Sequence, residues 1–383
     1  MIKQENNLIN RQKMDLDIIK RVPNHLRYAK VQTYEMCLEA ILRKGIVLGD
    51  VRWSDLNLSK VQVYNLCIKA VRGNGLALKY VKEQTKEMCL KAVKNDGLAL
   101  KYVERQTPKI CIEALKQNGK ALEFIKEQTE ELCLIAVKQD GLALKYVKEQ
   151  SIRICKESVK QDGLALKYVK TQTPDICLIA VKQNGNALKN VNEQTIEICI
   201  EAVNKNASAL AFVKNQTKEI CLKAVRRDGL SLEFVEEQTE EICLTALRED
   251  GLALRYVKKQ VPEICIEALK QDKYAIMHVK EQTDEICREV LKQDKRLIDY
   301  IKDKGKYVEE FDIKYLEEQE GAQEVIAIKE DGEWLFTVGC QEDINLEEFM
   351  DRIYTENGGF DLERGINVHR QIYLNFLKEF KYM

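Results

Sequence analysis

Proline is scarce in this chain, at four in 383 residues, and histidine is scarcer, at three. So few prolines leave the backbone free to form helices with little interruption. With only His25, His278 and His369, and no Cys-x-x-Cys pair, the ligand spacing of a zinc site is missing. No apolar run is long enough to span a membrane, and the start, Met-Ile-Lys-Gln-Glu-Asn-Asn, has no apolar core of signal-peptide length, so the expected location is cytoplasmic. Net charge is also nearly absent, with 61 basic against 62 acidic residues, which for the chain as a whole argues against a polynucleotide partner. Disorder is excluded by a hydrophobic content of 45%.

Cysteine, by contrast, is abundant and evenly placed. Cys67, Cys89, Cys111, Cys133, Cys155, Cys177, Cys199, Cys221, Cys243, Cys265 and Cys287 stand 22 residues apart, and Cys37 precedes them by 30, one period plus eight inserted residues. The repeat unit reads Glu-Gln-Thr-x-Glu-Ile-Cys-Leu-x-Ala-Val-Lys-Gln-Asp-Gly-Leu-Ala-Leu-Lys-Tyr-Val-Lys. Positions −1 and +4 from the cysteine are apolar in all twelve copies and +3 is alanine in ten, a stripe of helical period.

Threonines such as Thr85, Thr129 and Thr217 stand where they cap the first turn, and Pro108, Pro174 and Pro262 follow the cap position. An Asp-Gly or Asn-Gly pair, as at Asp96-Gly97, marks the end of the helix and suits a left-handed stop. The second element, Leu98 to Val103 in one copy, is read as a helix of about two turns with Leu100 and Val103 on one face. Isolated helices below about 12–15 residues are marginal in water, so each hairpin must bury its stripe against its neighbours. The predicted fold is all-α, an α-solenoid of about twelve 22-residue helical hairpins followed by a small α+β C-terminal module.

The units Ala114-Leu115-Lys116-Gln117-Asn118-Gly119 and Ala180-Val181-Lys182-Gln183-Asn184-Gly185 resemble a family of short helical repeats of unknown function found in bacteria, protists and large DNA viruses. The resemblance runs from about Leu26 to Ile301; it implies a stacked-helix fold and no activity. The first unit departs from it through an insertion around Val51 to Ser59, and the last units replace the glycine by Lys273 and Lys295, as capping repeats do.

Three regions are expected: an N-terminal cap over 1–24, the repeats over 25–304 and an acidic module over 305–383. From Asp303 on there are 20 acidic and 9 basic residues, a net of −11 against +10 for residues 1–302. Glu324–Ile328 and Trp334–Val338 flank Glu330-Asp331-Gly332 as a hairpin. A helix capped by Asp343 or Asn345 runs through Tyr354, Gly358-Gly359 breaks it, and another runs from Asn367 to about Phe380.

Several rows carry functional and plain readings side by side. The cysteines read as small buried hydrophobes, since copies about 10 Å apart are too distant for disulfides or a shared metal; no metal and no cofactor is expected. Glutamine at −5, from Gln32 to Gln282, reads as a ladder bonding adjacent backbone. Aromatic rings at +13, such as Tyr102, Phe124 and Tyr146, read as packing between helices, with base stacking as the functional alternative. Basic residues at +5, Lys94, Lys116, Lys138, Lys160 and Lys182 among them, complement the helix dipole or track phosphates. Asn186, Asn190, Asn192, Asn204 and Asn206 interrupt the pattern around the seventh copy, where a binding site or a bend is expected if they are not drift. Cys340 with His369 is the one nucleophile–base pairing the tail offers, with no third residue to orient it, and no catalytic residue is assigned.

The function expected on these grounds is a non-enzymatic scaffold presenting an extended helical surface to a protein partner. Its candidate contacts are Lys94, Lys116, Lys138, Lys160, Lys182, Asn186, Asn190, Asn192, Trp334 and Arg370. Nucleic-acid binding through the basic repeats, with the acidic tail as competitor or recruiting end, is the alternative; a cysteine-dependent enzyme is the remote one. Usage rich in lysine, isoleucine and asparagine is compatible with an AT-rich genome, bacterial or viral, and a part in host–virus conflict is the extension of that reading.

Overall fold

Thr85 fixes where the third repeat begins, because its hydroxyl accepts the N–H of Met88 at 3.2 Å and satisfies a donor that the helix Lys86–Asn95 leaves free. The same bond recurs from Thr33 to Thr283, with Ser151 serving in its copy and Val261 making none; Pro108, Pro174 and Pro262 each occupy the first helical position. The computed structural model describes the backbone of residues 2–319, 322–339, 341–355, 360–361 and 366–380, in two compact units, Met1–Asn215 and Gln216–Met383.

In the first unit, a helix Ile2–Arg21 and a single 3-10 turn Pro23–Tyr28 precede eight repeats. Each repeat is one α-helix, ten residues long in all but the second, followed by a six-residue element such as Gly97–Tyr102. That element is a 3-10 helix and not the second α-helix expected: Ala99 N–H donates to Asp96 O at 2.9 Å and Val103 N–H to Leu100 O at 3.1 Å. Its apolar residues Leu100 and Val103 are three apart, which places them on one edge at three residues per turn. Met88, Cys89, Ala92 and Val93 of the helix and Ala99, Leu100 and Val103 of the 3-10 turn are all buried. Burying a leucine such as Leu100 contributes about 1.5–3 kcal/mol, and no copy holds enough such residues to stand alone.

The Asp-Gly pair also works differently from a left-handed helix stop. Asp96 is extended, at φ −146° and ψ 112°, and its carboxylate accepts the N–H of Leu98 at 2.9 Å, so it caps the 3-10 helix that follows. In this copy the glycine serves space: a Cβ on Gly97 would stand 2.5 Å from the backbone oxygen of Ala114 in the next copy, whereas Ala207, Lys273 and Lys295 carry a Cβ at the same position of their own copies.

The second unit holds four further repeats, from the helix Lys218–Arg227 to the 3-10 turn Lys295–Tyr300, and then the tail. Where the glycine is lost, the Lys273 ammonium reaches Asp294 of the following copy at 2.6 Å. The tail is a four-stranded antiparallel sheet in the order β1 (Ile313–Leu316), β2 (Val325–Glu330), β3 (Glu333–Val338), β4 (Gln341–Asn345). The expected hairpin is β2–β3, with Glu330 opposite Glu333 and a turn at Asp331 and Gly332, both of positive φ. Asn345 accepts the N–H of Glu348 at 2.8 Å and caps the helix Leu346–Thr355; the last helix is Val368–Leu377. Strands β1 and β4 were not foreseen from the sequence, and Gly358-Gly359 lies outside the described residues. Phe336 stacks on Phe349 at 4.7 Å in a core with Val325, Ala327 and Phe376. Arg296 of the last repeat pairs with Glu330 at 2.9 Å and Asp343 at 3.1 Å, so the tail's carboxylates meet repeat cations.

Candidate interaction surface

Position +5 lies in the last turn of each repeat helix, and its side chain is exposed, so the five candidate lysines form a row in the first unit. That row is interleaved with carboxylates. Glu113 lies 3.5 Å from Lys94 and 3.7 Å from Lys116, Glu157 lies 3.8 Å from Lys138 and 3.6 Å from Lys160, and Glu201 lies 4.0 Å from Lys182. The second unit repeats the arrangement with Glu267 between Arg248 and Lys270. Exposed pairs of this kind add little stability, about 0–1 kcal/mol each, but they cancel the field that would draw a phosphate backbone. The signal was available in the sequence as glutamate two residues after Cys111, Cys155, Cys199 and Cys265.

Further cations are engaged in a ladder that sequence reasoning missed. The ammonium of Lys148, seven residues before its cysteine, donates to the backbone oxygen of Lys126 at 3.1 Å, and that of Lys170 to Lys148 O at 2.8 Å. Lys126, Lys214, Lys258, Lys280 and Lys302 do the same across 22 residues.

The predicted glutamine ladder is present. Gln150 Nε2 donates to Tyr168 O at 2.8 Å, and its Oε1 accepts the N–H of Lys170 at 2.9 Å, so one carboxamide bonds twice the segment that closes its own copy and leads into the next. A second ladder accompanies it, in which Gln183, at +6, accepts the N–H of Gly163 at 2.7 Å. All twelve repeat cysteines are buried and free, and burial pushes their thiols up, Cys37 to about 12 and Cys67 and Cys265 to about 11, so they stay protonated. Among the described residues, no group of three or more His, Cys, Asp or Glu is placed to hold a metal. Cys340 and the side chain of His369 lie outside the described residues.

Most +13 rings are half-buried, with Tyr80 and Tyr300 exposed, and where a basic residue precedes the ring it lies over the ring face. Lys145 is 5.5 Å from the Tyr146 centroid and Lys167 is 4.8 Å from that of Tyr168, while Lys101 serves both Tyr102 at 5.9 Å and Phe124 of the next copy at 5.8 Å. Asn190 occupies the ring's place in the seventh copy, and its Nδ2 is buried without a partner. The neighbouring asparagines are accounted for locally: Asn206 Nδ2 donates to Asn186 Oδ1 at 2.9 Å, and the Asn192 N–H joins the glutamine ladder at Gln172. In the tail, Trp334 packs edge-on against Phe380 at 4.8 Å, and Arg370 donates to the backbone oxygens of Ile353 and Tyr354.

The family model described as a domain of unknown function (DUF4116) matches nine overlapping segments, residues 64–106, 85–129, 109–152, 129–173, 151–196, 173–218, 195–239, 217–261 and 239–283. Each segment spans about two of the repeats, which is the smallest piece that contains one complete inter-repeat interface. No curated protein and no solved structure matches the chain.

Proposed function

We propose, from the premise that this chain belongs to the repeat family described as a domain of unknown function (DUF4116), that it is a non-enzymatic scaffold whose repeat surface binds a protein partner. The observation that carries this reading is that all five lysines of the candidate row face a carboxylate within 4.0 Å. A surface of alternating sign spaced at one repeat suits a partner that also carries charges of both signs, and it gives a polyanion no continuous track. The row of half-buried aromatic rings supplies the apolar, low-entropy contact area on which protein interfaces draw.

That same row favours the alternative, single-stranded polynucleotide held by stacking on rings such as Tyr146 and Tyr168. The two readings separate on immobilised full chain. A protein partner is retained at about 0.5 M salt and lost when Tyr102, Tyr146 and Tyr168 are all changed to alanine, whereas a polynucleotide elutes as salt rises. Retention of polynucleotide alone sinks the scaffold reading in favour of the alternative.

A further inference from the structure

Gln62 is the one −5 glutamine that does not join the ladder. In the other eleven copies the carboxamide bonds an oxygen 18 residues on and an N–H 20 residues on; Gln32 takes Asp50 O and Arg52 N, and Gln84 takes Tyr102 O and Glu104 N. Gln62 is instead bound to Ser59, whose N–H donates to its Oε1 at 3.0 Å while the Ser59 hydroxyl accepts the Gln62 N–H at 3.3 Å. The cause is the eight-residue insertion. It lets the second repeat helix start four residues early, at Lys60, so that Gln62 lies inside the first helical turn instead of in the strand before the cap. Its expected partners, Tyr80 O and Lys82 N, are left with no hydrogen bond to the protein.

A pocket of about 630 Å³ opens at this vacated edge. Trp53, Leu56 and Leu58 from the insertion line it together with Val63 and Met88 from successive helices and with Tyr80 and Lys82. Val61, which also lines it, is 69% exposed. The site therefore pairs an apolar chamber with one backbone acceptor and one backbone donor, two residues apart, at the edge that elsewhere in this chain holds a primary carboxamide.

We infer that this pocket binds a glutamine side chain, flanked by apolar residues, on a protein partner. The carboxamide NH₂ donates to Tyr80 O and its oxygen accepts the Lys82 N–H, which completes the twelfth rung of the ladder with a side chain from outside. A carboxylate would set its charge against Tyr80 O and an ammonium has nothing to accept the Lys82 N–H, so the edge selects an amide over either ion. The chamber exceeds what one glutamine needs, and its walls suit the neighbouring apolar side chains. That the carboxamide belongs to a protein rests on the scaffold reading; its selection by the pocket does not.

The test uses the unaltered full chain, labelled with ¹⁵N, and three N-acetylated peptides with N-methylamide ends, each a single central residue between leucines. The central residue is glutamine, glutamate or methionine. The glutamine peptide is expected to move the Lys82 amide resonance, change Trp53 fluorescence and bind about tenfold or more tighter than the other two, the equivalent of one to two hydrogen bonds. Equal affinities, shifts confined to other amides, or no binding by the glutamine peptide overturns the inference. Loss of all three peptides with retention of a protein partner on the aromatic row removes this site and leaves the scaffold reading in place.

Discussion

The Sγ of Cys177 lies 3.6 Å from Oε1 of Gln172, and that same oxygen accepts the backbone N–H of Asn192 at 3.0 Å. One side-chain oxygen thus serves its own helix and the segment that closes the copy and leads into the next. The arrangement recurs at Cys89, Cys155, Cys199 and Cys221, with Sγ to glutamine distances of 3.5 to 3.7 Å. Cysteine is small enough for the helix interface, and where the glutamine oxygen stands beside it, as in these copies, it offers that oxygen a weak donor.

Replacing Gln150 by leucine is expected to destabilise the protein by about 1–3 kcal/mol, because Tyr168 O and Lys170 N lose their partner at a half-buried edge. Gln62→Leu removes only a helix cap and is expected to cost at most about 1 kcal/mol. Urea unfolding monitored by circular dichroism compares the two, and equal losses would mean that the ladder contributes nothing beyond capping.

Gly163 tests the close approach of successive copies. A Cβ there would stand 2.4 Å from Ala180 O, a backbone atom that cannot swing aside, whereas one on Gly305 meets nothing within 4 Å. Gly163→Ala is therefore expected to cost about 1–3 kcal/mol and Gly305→Ala to leave the melting temperature nearly unchanged. A Gly163→Ala protein as stable as the parent would show that the glycine is not there for space.

The facing of the helix makes a third comparison. Val181 is fully buried and its neighbour Lys182 is exposed. Val181→Asp buries an unpaired carboxylate and should lower the melting temperature severely, while Lys182→Asp exchanges a pair at 4.0 Å for an exposed, solvent-screened repulsion from Glu201 and should lower it little. Similar melting of the two variants would contradict the assigned stripe.

The cysteines predict an alkaline limit. Burial raises the thiol pKa of Cys67 and Cys265 to about 11, above the unfolded value. Above pH about 9 the unfolded chain releases thiol protons that the folded chain keeps, so stability is fully present below that value and falls as pH rises toward 11. Thiolate absorbance near the unfolded titration range should stay low until the helical signal is lost. Thiolate from several cysteines appearing near pH 9 in the folded protein, more than Cys340 alone can supply, would mean that the repeat cysteines are not buried.

The first helix of every repeat was legible because its signals are local: an apolar stripe of period 3.6, a threonine cap, proline at the first helical position. The 3-10 character of Gly97–Tyr102 was not, since six residues with Leu100 and Val103 three apart fit either helix type, and the choice is made by the Asp96 cap and the neighbouring copy. Asp96-Gly97 misled for a related reason. Glycine answers both to positive φ and to crowding, and only the position of Ala114 O distinguishes them. The row of lysines was read in one dimension; the glutamates beside it were equally visible, but that Glu113 falls between Lys94 and Lys116 requires the stacking of copies. The insertion at Val51 to Ser59 was seen, while its effect on Gln62 depends on a helix starting one turn early.

The measurement that bears most directly on the scaffold reading is the affinity of the full chain for a single-stranded and a duplex polynucleotide as salt rises from about 50 to 200 mM. With Lys94, Lys116, Lys138, Lys160 and Lys182 each facing a carboxylate, binding should be weak, and neutralising Lys116, Lys138, Lys160 and Lys182 together should leave it and the melting temperature little changed. Tight duplex binding that falls steeply with salt, and whose slope flattens by about 3–4 units in the four-lysine variant, would contradict the account and establish the repeats as a phosphate-binding surface.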